Sequence, residues 1–438
     1  MKYYIKQALA VGGGFGFLAL AGAAYNKVET REIGYPGVAM QITDSKPRLA
    51  DRKAANEVPI AIPRAPDGGA LAAHEYENVK VLGHLSTAQF TRMMTSITQW
   101  VAPEAGCGYC HAPERDANGA IVRNEDGYPQ ADLDKMWSDE VYSKVVSRRM
   151  IQMTQHINEA WPSHVGKTGA TCWTCHRGNN VPRYVWFNDA GEREQTNMAA
   201  VHYGTKGDQN HPNTSASYAS LPGESFEVFL AGDRGIRVQT MQDLPAGNRH
   251  SIKSAEWTYG LMMHMSSALG VNCTYCHNSR AFGDWEQSPP ARKTAWYGIR
   301  MVRDLNNAFL EPLGPTYPDY RRGPAGDAPK ANCSTCHQGA YKPLLGESML
   351  ADFPSLAKAE AQPEPKPEPE PPPPEPEAEA EDEGAGGGDA ADAEDDAEDD
   401  AEDEAPAPVP APAPVAPAPA APKAPAPAAP KAPAPSGP

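Results

Sequence analysis

The chain has 438 residues and a formal net charge of −17, long enough for two domains. The charge is concentrated: residues 361–438 carry 20 acidic side chains against Lys366, Lys423 and Lys431, while residues 1–360 carry 36 acidic and 36 basic ones. The body is therefore neutral, which excludes a nucleic-acid binder steered by a basic field, and the acidity belongs to the tail alone.

Lys2 and Lys6 precede an apolar run from Ala8 to Ala24. As a helix that run reaches roughly 26 Å at 1.5 Å per residue, near the lower limit for a bilayer. Ala19-Leu20-Ala21 and Ala21-Gly22-Ala23 also suit signal peptidase. Residues 1–25 thus read as a retained anchor or a cleaved signal, the anchor preferred, and either places the rest of the chain outside the cytoplasm. No cysteine stands near this run, so a lipidated N-terminal Cys is not expected. Residues 26–75, rich in Pro, Gly and small side chains, predict an extended arm lying on a surface.

A domain over 76–355 comes next. Ser86 or Thr87 can cap a helix with Phe90, Met94, Ile97 and Val101 on one face, ended by Pro103. A polar segment, Ala112 to Asp134, separates it from a helix over about Asp139–Trp161, with Val146, Met150, Met153 and Ile157 aligned and Pro162 as terminator. Residues 181–250 predict loops and a few short strands. Helical pattern returns over Ser254–Leu269, stopped by Gly270, and over Arg292–Phe309. Residues 356–438 hold almost no large apolar side chains and cannot offset their ordering entropy by burial; they predict a disordered acidic Pro/Ala-rich tail.

C-x-x-C-H occurs at Cys107-Cys110-His111, Cys172-Cys175-His176, Cys273-Cys276-His277 and Cys333-Cys336-His337, using all eight cysteines. This is the attachment sequence for c-type haem. Two thiols three apart on a tight turn can form thioethers to the two vinyl groups of one porphyrin, and the adjacent imidazole takes an axial position on the iron. Zinc knuckles or local disulfides need no histidine after the second cysteine. With 12 His in the chain, four such histidines by chance have a probability of about 6 × 10⁻⁷, so the spacing is read as four haem c sites.

The chain also repeats. Arg92-Met-Met before C-x-Tyr-C-H matches Leu261-Met-Met before C-x-Tyr-C-H, and Arg149-Met150 before C-x-Thr-C-H-x-Gly matches Arg300-Met301. First pairs with third and second with fourth, as in a pseudo-twofold internal repeat. The fold class expected is mainly α, a multihaem cytochrome c with irregular loops and a haem-filled core.

Each iron needs a second axial ligand or stays open. Met94 (against Met93), Met150 (against Met153) and Met262 (against Met263 or Met265) stand on the preceding helices. For the fourth, the repeat points to Met301, while His164 and, less well, His156 are alternatives. A multihaem reductase would need an open iron, and the ligands available close all four.

Further residues carry a family resemblance: Asn78-Val-Lys-Val-Leu-Gly83, Thr98-x-Trp100-Val, Arg148-Arg-Met150, His164-Val with Thr168-Gly, Asn272-Cys-Thr, Gly298-Ile-Arg-Met-Val-Arg-Asp-Leu-Asn306 and Cys336-His-Gln-Gly339. Over about Val79 to Pro354 the chain resembles the tetrahaem cytochrome subunit of purple-bacterial photosynthetic reaction centres. The resemblance implies Met94, Met150 and Met262 as ligands, His164 with His337 on the fourth iron, and Met301 as packing. It implies an electron-transfer protein, not an enzyme, on the periplasmic side of the photosynthetic membrane. There it would join the reaction-centre core and take electrons from a soluble cytochrome c or high-potential iron–sulfur protein. Those electrons would pass to the photo-oxidised bacteriochlorophyll pair, with the third haem nearest that pair and the first farthest. The missing lipobox cysteine, the acidic tail and the longer segment between the first two sites depart from the family's pattern.

Overall fold

Ser86 opens the first long helix as the sequence requires: its Oγ accepts from Gln89 N (3.3 Å) while Gln89 Oε1 accepts from Ser86 N (3.2 Å). This reciprocal cap satisfies two of the amides that a helix start leaves bare. The structure, a computed structural model, describes residues 27–32, 41–188, 214–217, 219, 221, 223–238 and 251–363. The apolar run of residues 1–25 and nearly all of the tail lie outside them.

Among the described residues the architecture is mainly helical. Strands β1 (Val28–Glu32) and β2 (Gln41–Ser45) pair antiparallel, Val28 opposite Ser45. Then come α1 (Lys46–Ala55), α2 (Ala72–Glu75), α3 (Thr87–Val101), α4 (Tyr142–Ala160), α5 (Pro162–Val165), α6 (Cys172–His176), α7 (Ile252–Leu269), α8 (Ala291–Leu305) and α9 (Cys333–His337). Short 3₁₀ and π turns join them, and α8 runs on through a π turn, Asn306–Leu310.

Three expectations are corrected. The arm over 26–75 is not simply extended. It holds the hairpin and α1, which Ser45 caps by accepting from Arg48 N (3.3 Å) and which has a proline in its first turn. Asn56 just beyond α1 then bonds Gln338 O (3.3 Å) and receives Leu344 N (3.1 Å), so the segment packs on this chain's own body. Pro162 does not only stop α4; it starts α5, so Ser163-His164-Val165 is a helical turn rather than a loop. The folded body also outlasts residue 355, since Leu356 is fully buried and Gln362 Oε1 accepts from Gly83 N (2.7 Å). In the irregular stretch, the described residues hold a bridge between Trp186 and Lys330 but no strand.

Two apolar clusters form the core. One gathers Ile157, Phe226, Phe229, Leu261, Ile299, Met301, Val302 and Leu305. The other gathers Leu82, Met93, Trp100, Ile151, Leu344, Met349, Phe353 and Leu356. The candidate ligand methionines lie beside the buried lines of their helices. On α3 the buried line is Met93, Ser96 and Trp100, and on α7 it includes Leu261, His264 and Ala268, while Met94, Met150 and Met262 stay half-buried.

Candidate functional site

The four C-x-x-C-H turns fall into two kinds, which differ in the residue before the second cysteine. In the first and third, Tyr109 and Tyr275 precede the second cysteine and the turn is 3₁₀. His111 N bonds Cys107 O (3.0 Å) and His277 N bonds Cys273 O (2.9 Å). In the second and fourth the residue is Thr174 or Thr335, whose short hydroxyl reaches back to the turn's entrance. Thr174 Oγ1 accepts from Thr171 N and Thr335 Oγ1 from Asn332 N, both at 2.9 Å. That box holds a full helical turn, closed by Arg177 and Gln338 in the left-handed region (φ 48° and 46°).

Every attachment histidine has its Nδ1 on a backbone carbonyl: His111 on Met136 O (3.0 Å), His176 on Asn179 O (2.8 Å), His277 on Phe282 O (2.9 Å) and His337 on Ala340 O (2.9 Å). His164 does the same with Thr294 O (3.0 Å). A carbonyl only accepts, so Nδ1 holds the proton and Nε2 keeps a lone pair for a metal. Burial disfavours the charged form of all five, and His337, with His164 beside it as a second cause, is pulled down to about 4. Neutral imidazole is the ligand form. His156 differs: its Nε2 is engaged by Asp304 Oδ2 at 2.6 Å, which removes it as a ligand candidate.

The third site shows its residues together. A cavity of about 720 Å³ is lined by Met262, Cys273, Cys276 and His277, along with Met265 and Arg292, a volume suited to a cofactor. Met265 lines it too, while Met263 does not. At the first site Met93 is 3 % exposed in the core, while Met94 is half-buried at its edge. At the second, Met153 packs on the Ile157 cluster, to which Met150 does not belong.

His164 and His337 face each other with ring centres 6.0 Å apart and planes at 67°. With metal–imidazole bonds of ~2.0–2.1 Å, two rings sharing one metal stand about 6 Å apart. Helix α8 makes room for this: a Cβ at Gly298 would lie 2.5 Å from His164 Cε1. Met301, the repeat's alternative, is 6 % exposed inside the first core cluster. The residues gathered at the third turn, two cysteines, a histidine and a methionine around one cavity, fit a haem.

The second and fourth turns lie side by side. Cys175 Sγ and Cys336 Sγ are 2.6 Å apart, Arg177 Nη2 donates to Cys336 O (3.0 Å), and Gln338 Nε2 donates to Cys175 O (3.4 Å). Among the described residues no three His, Cys, Asp or Glu side chains converge, which a zinc knuckle would require. Gly298 was named only as part of a family motif, and its role in making room for His164 was missed; a glycine inside a helical pattern was its local signal. Sequence reasoning also missed the anchoring carbonyls, which carry no side-chain signal at all.

A family model described as the photosynthetic reaction centre cytochrome c subunit matches residues 25–357. Proteins named photosynthetic reaction center cytochrome c subunit are similar over most of their length. The one from Rubrivivax gelatinosus is 47 % identical over 341 residues, covering 78 % of this chain and 86 % of that protein. The one from Thermochromatium tepidum is 43 % identical over 75 % of each chain. The one from Roseobacter denitrificans is 40 % identical over 75 % of this chain and 85 % of its own.

Proposed function

The chain belongs to the photosynthetic reaction centre cytochrome c subunit family, and from that premise we propose that it re-reduces the photo-oxidised bacteriochlorophyll pair through four c-type haems. It is an electron-transfer component of photosynthesis with covalently bound haem c, associated with the reaction-centre core. The proposal adds the count, the ligands and the direction. Cysteines 107/110, 172/175, 273/276 and 333/336 hold the haems, and His111, His176, His277 and His337 ligate from one side. Met94, Met150, Met262 and His164 close the other. The donor is a soluble cytochrome c or high-potential iron–sulfur protein on the periplasmic side of the membrane.

The haem, when bound, supplies a one-electron couple. The protein decides where the electron rests. A thioether opposite imidazole raises the potential and a second imidazole lowers it, and each 59 mV is a factor of ten in a one-electron equilibrium. With both axial positions filled by side chains, no iron is left open for a substrate, which favours carriage over catalysis. The observation that carries this reading is the shared anchoring of the five histidines, each with Nδ1 fixed and Nε2 free. Flash excitation of membranes tests it: haem oxidation should follow oxidation of the bacteriochlorophyll pair. A pair that recovers while every haem stays reduced would sink the proposal.

A further inference from the structure

We infer that His264 donates a hydrogen bond to a carboxylate of the haem held by Cys333, Cys336 and His337, and thereby raises that site's potential. The inference rests on the fourth turn being a haem site, as proposed above. His264 is 5 % exposed, and its Nε2 is buried with no hydrogen-bond partner among the described residues. Buried polar atoms in native proteins have partners, and a bare one costs more than the bond gains when made. The nearest ring offers none: Phe226 meets the imidazole edge-on, 4.6 Å between centres.

Helix α7 has two working faces. Met262 and Met265 line the cavity of the third site. His264 stands two positions past Met262, roughly 200° around the helix, on the face with Leu261 and Ala268. That face meets the fourth turn, where Gly339 N bonds Ala268 O (2.8 Å) just beyond His337. The imidazole is thus turned from the third site toward the fourth. A second axial ligand there is already at hand, since His164 stands opposite His337 at 6.0 Å. What a haem still brings to such a position is its carboxylates, strong acceptors whose bond to an N–H is charge-assisted. A donor there offsets negative charge near the iron and favours the ferrous form.

The test uses the full-length holoprotein. In the wild type, a Cys333–Cys336 peptide found without haem by mass spectrometry would overturn the attachment reading and this inference with it. With the haem in place, H264F should shift the fourth haem, recognised by the EPR signal of two imidazole ligands, about tenfold toward the oxidised form, ~59 mV lower. The other potentials stay put and every iron stays low-spin. H264Q, whose amide N–H reaches the same place, should recover most of the shift. H264M, smaller and without a donor, should give the same fall if the phenyl ring is too large to incorporate haem. An unmoved fourth potential in both donor-free variants, a shift at the third haem instead, or a high-spin iron overturns the inference.

Discussion

His164 and Met301 compete for one iron when the chain is read as a repeat, but their surroundings differ in kind. Met301 is packed among Ile157, Phe229 and Leu305, so Met301→Leu nearly conserves volume and costs under about 1.5 kcal/mol while all irons stay six-coordinate. His164→Met should raise one potential, the lowest or near-lowest, and leave the His176 haem on Met150. Potentiometric titration of both variants checks this; a high-spin haem in Met301→Leu with an unchanged His164→Met would restore the repeat's assignment. Gly298→Ala is sharper, because the added Cβ falls 2.5 Å from His164 Cε1 against ring atoms that cannot yield without moving the whole imidazole. EPR should show high-spin iron at a single haem, and four unaltered low-spin signals would mean His164 is not a ligand. None of this was legible as a role for Gly298, since a missing Cβ matters only once the opposing residue, 134 positions away, is known.

The attachment turns show what a single element encodes. Thr335 Oγ1 accepts from Asn332 N and donates to Tyr184 O (3.3 Å), so Thr335→Val should cost about 1 kcal/mol in chemical denaturation; an unchanged midpoint would show the box does not hold the turn. Element boundaries were largely legible where a chemical stop existed, as with Ser86 before α3 and Gly270, left-handed at φ 64°, after α7. α1 was overlooked because none of its residues is buried and it lacks an apolar stripe, although Ser45 with Pro47 is a start signal. Met94, Met150 and Met262 are half-buried on their helices. Apolar periodicity marks what avoids water, and it does not say whether protein or cofactor covers it.

At the scale of the molecule, the neutral body and the acidic tail are separable by composition. Cutting the chain after Pro363 keeps the Gln362–Gly83 bond and should leave haem spectrum and potentials unchanged. Donor binding should change more at low salt than at high, because exposed charges are screened over about 8–10 Å at 0.1–0.15 M. Lost haem on truncation would show the tail to be structural. The central claim is that this body holds four closed irons of two ligation types, three with Met opposite His and one with His opposite His. Magnetic circular dichroism of the oxidised holoprotein counts them directly, through the sulfur-to-iron charge-transfer band set against the haem content by pyridine haemochrome. The account predicts four haems per chain, three bearing the thioether band and one bearing only the bis-imidazole signature. A chain with four thioether bands, or with any iron open, would contradict it.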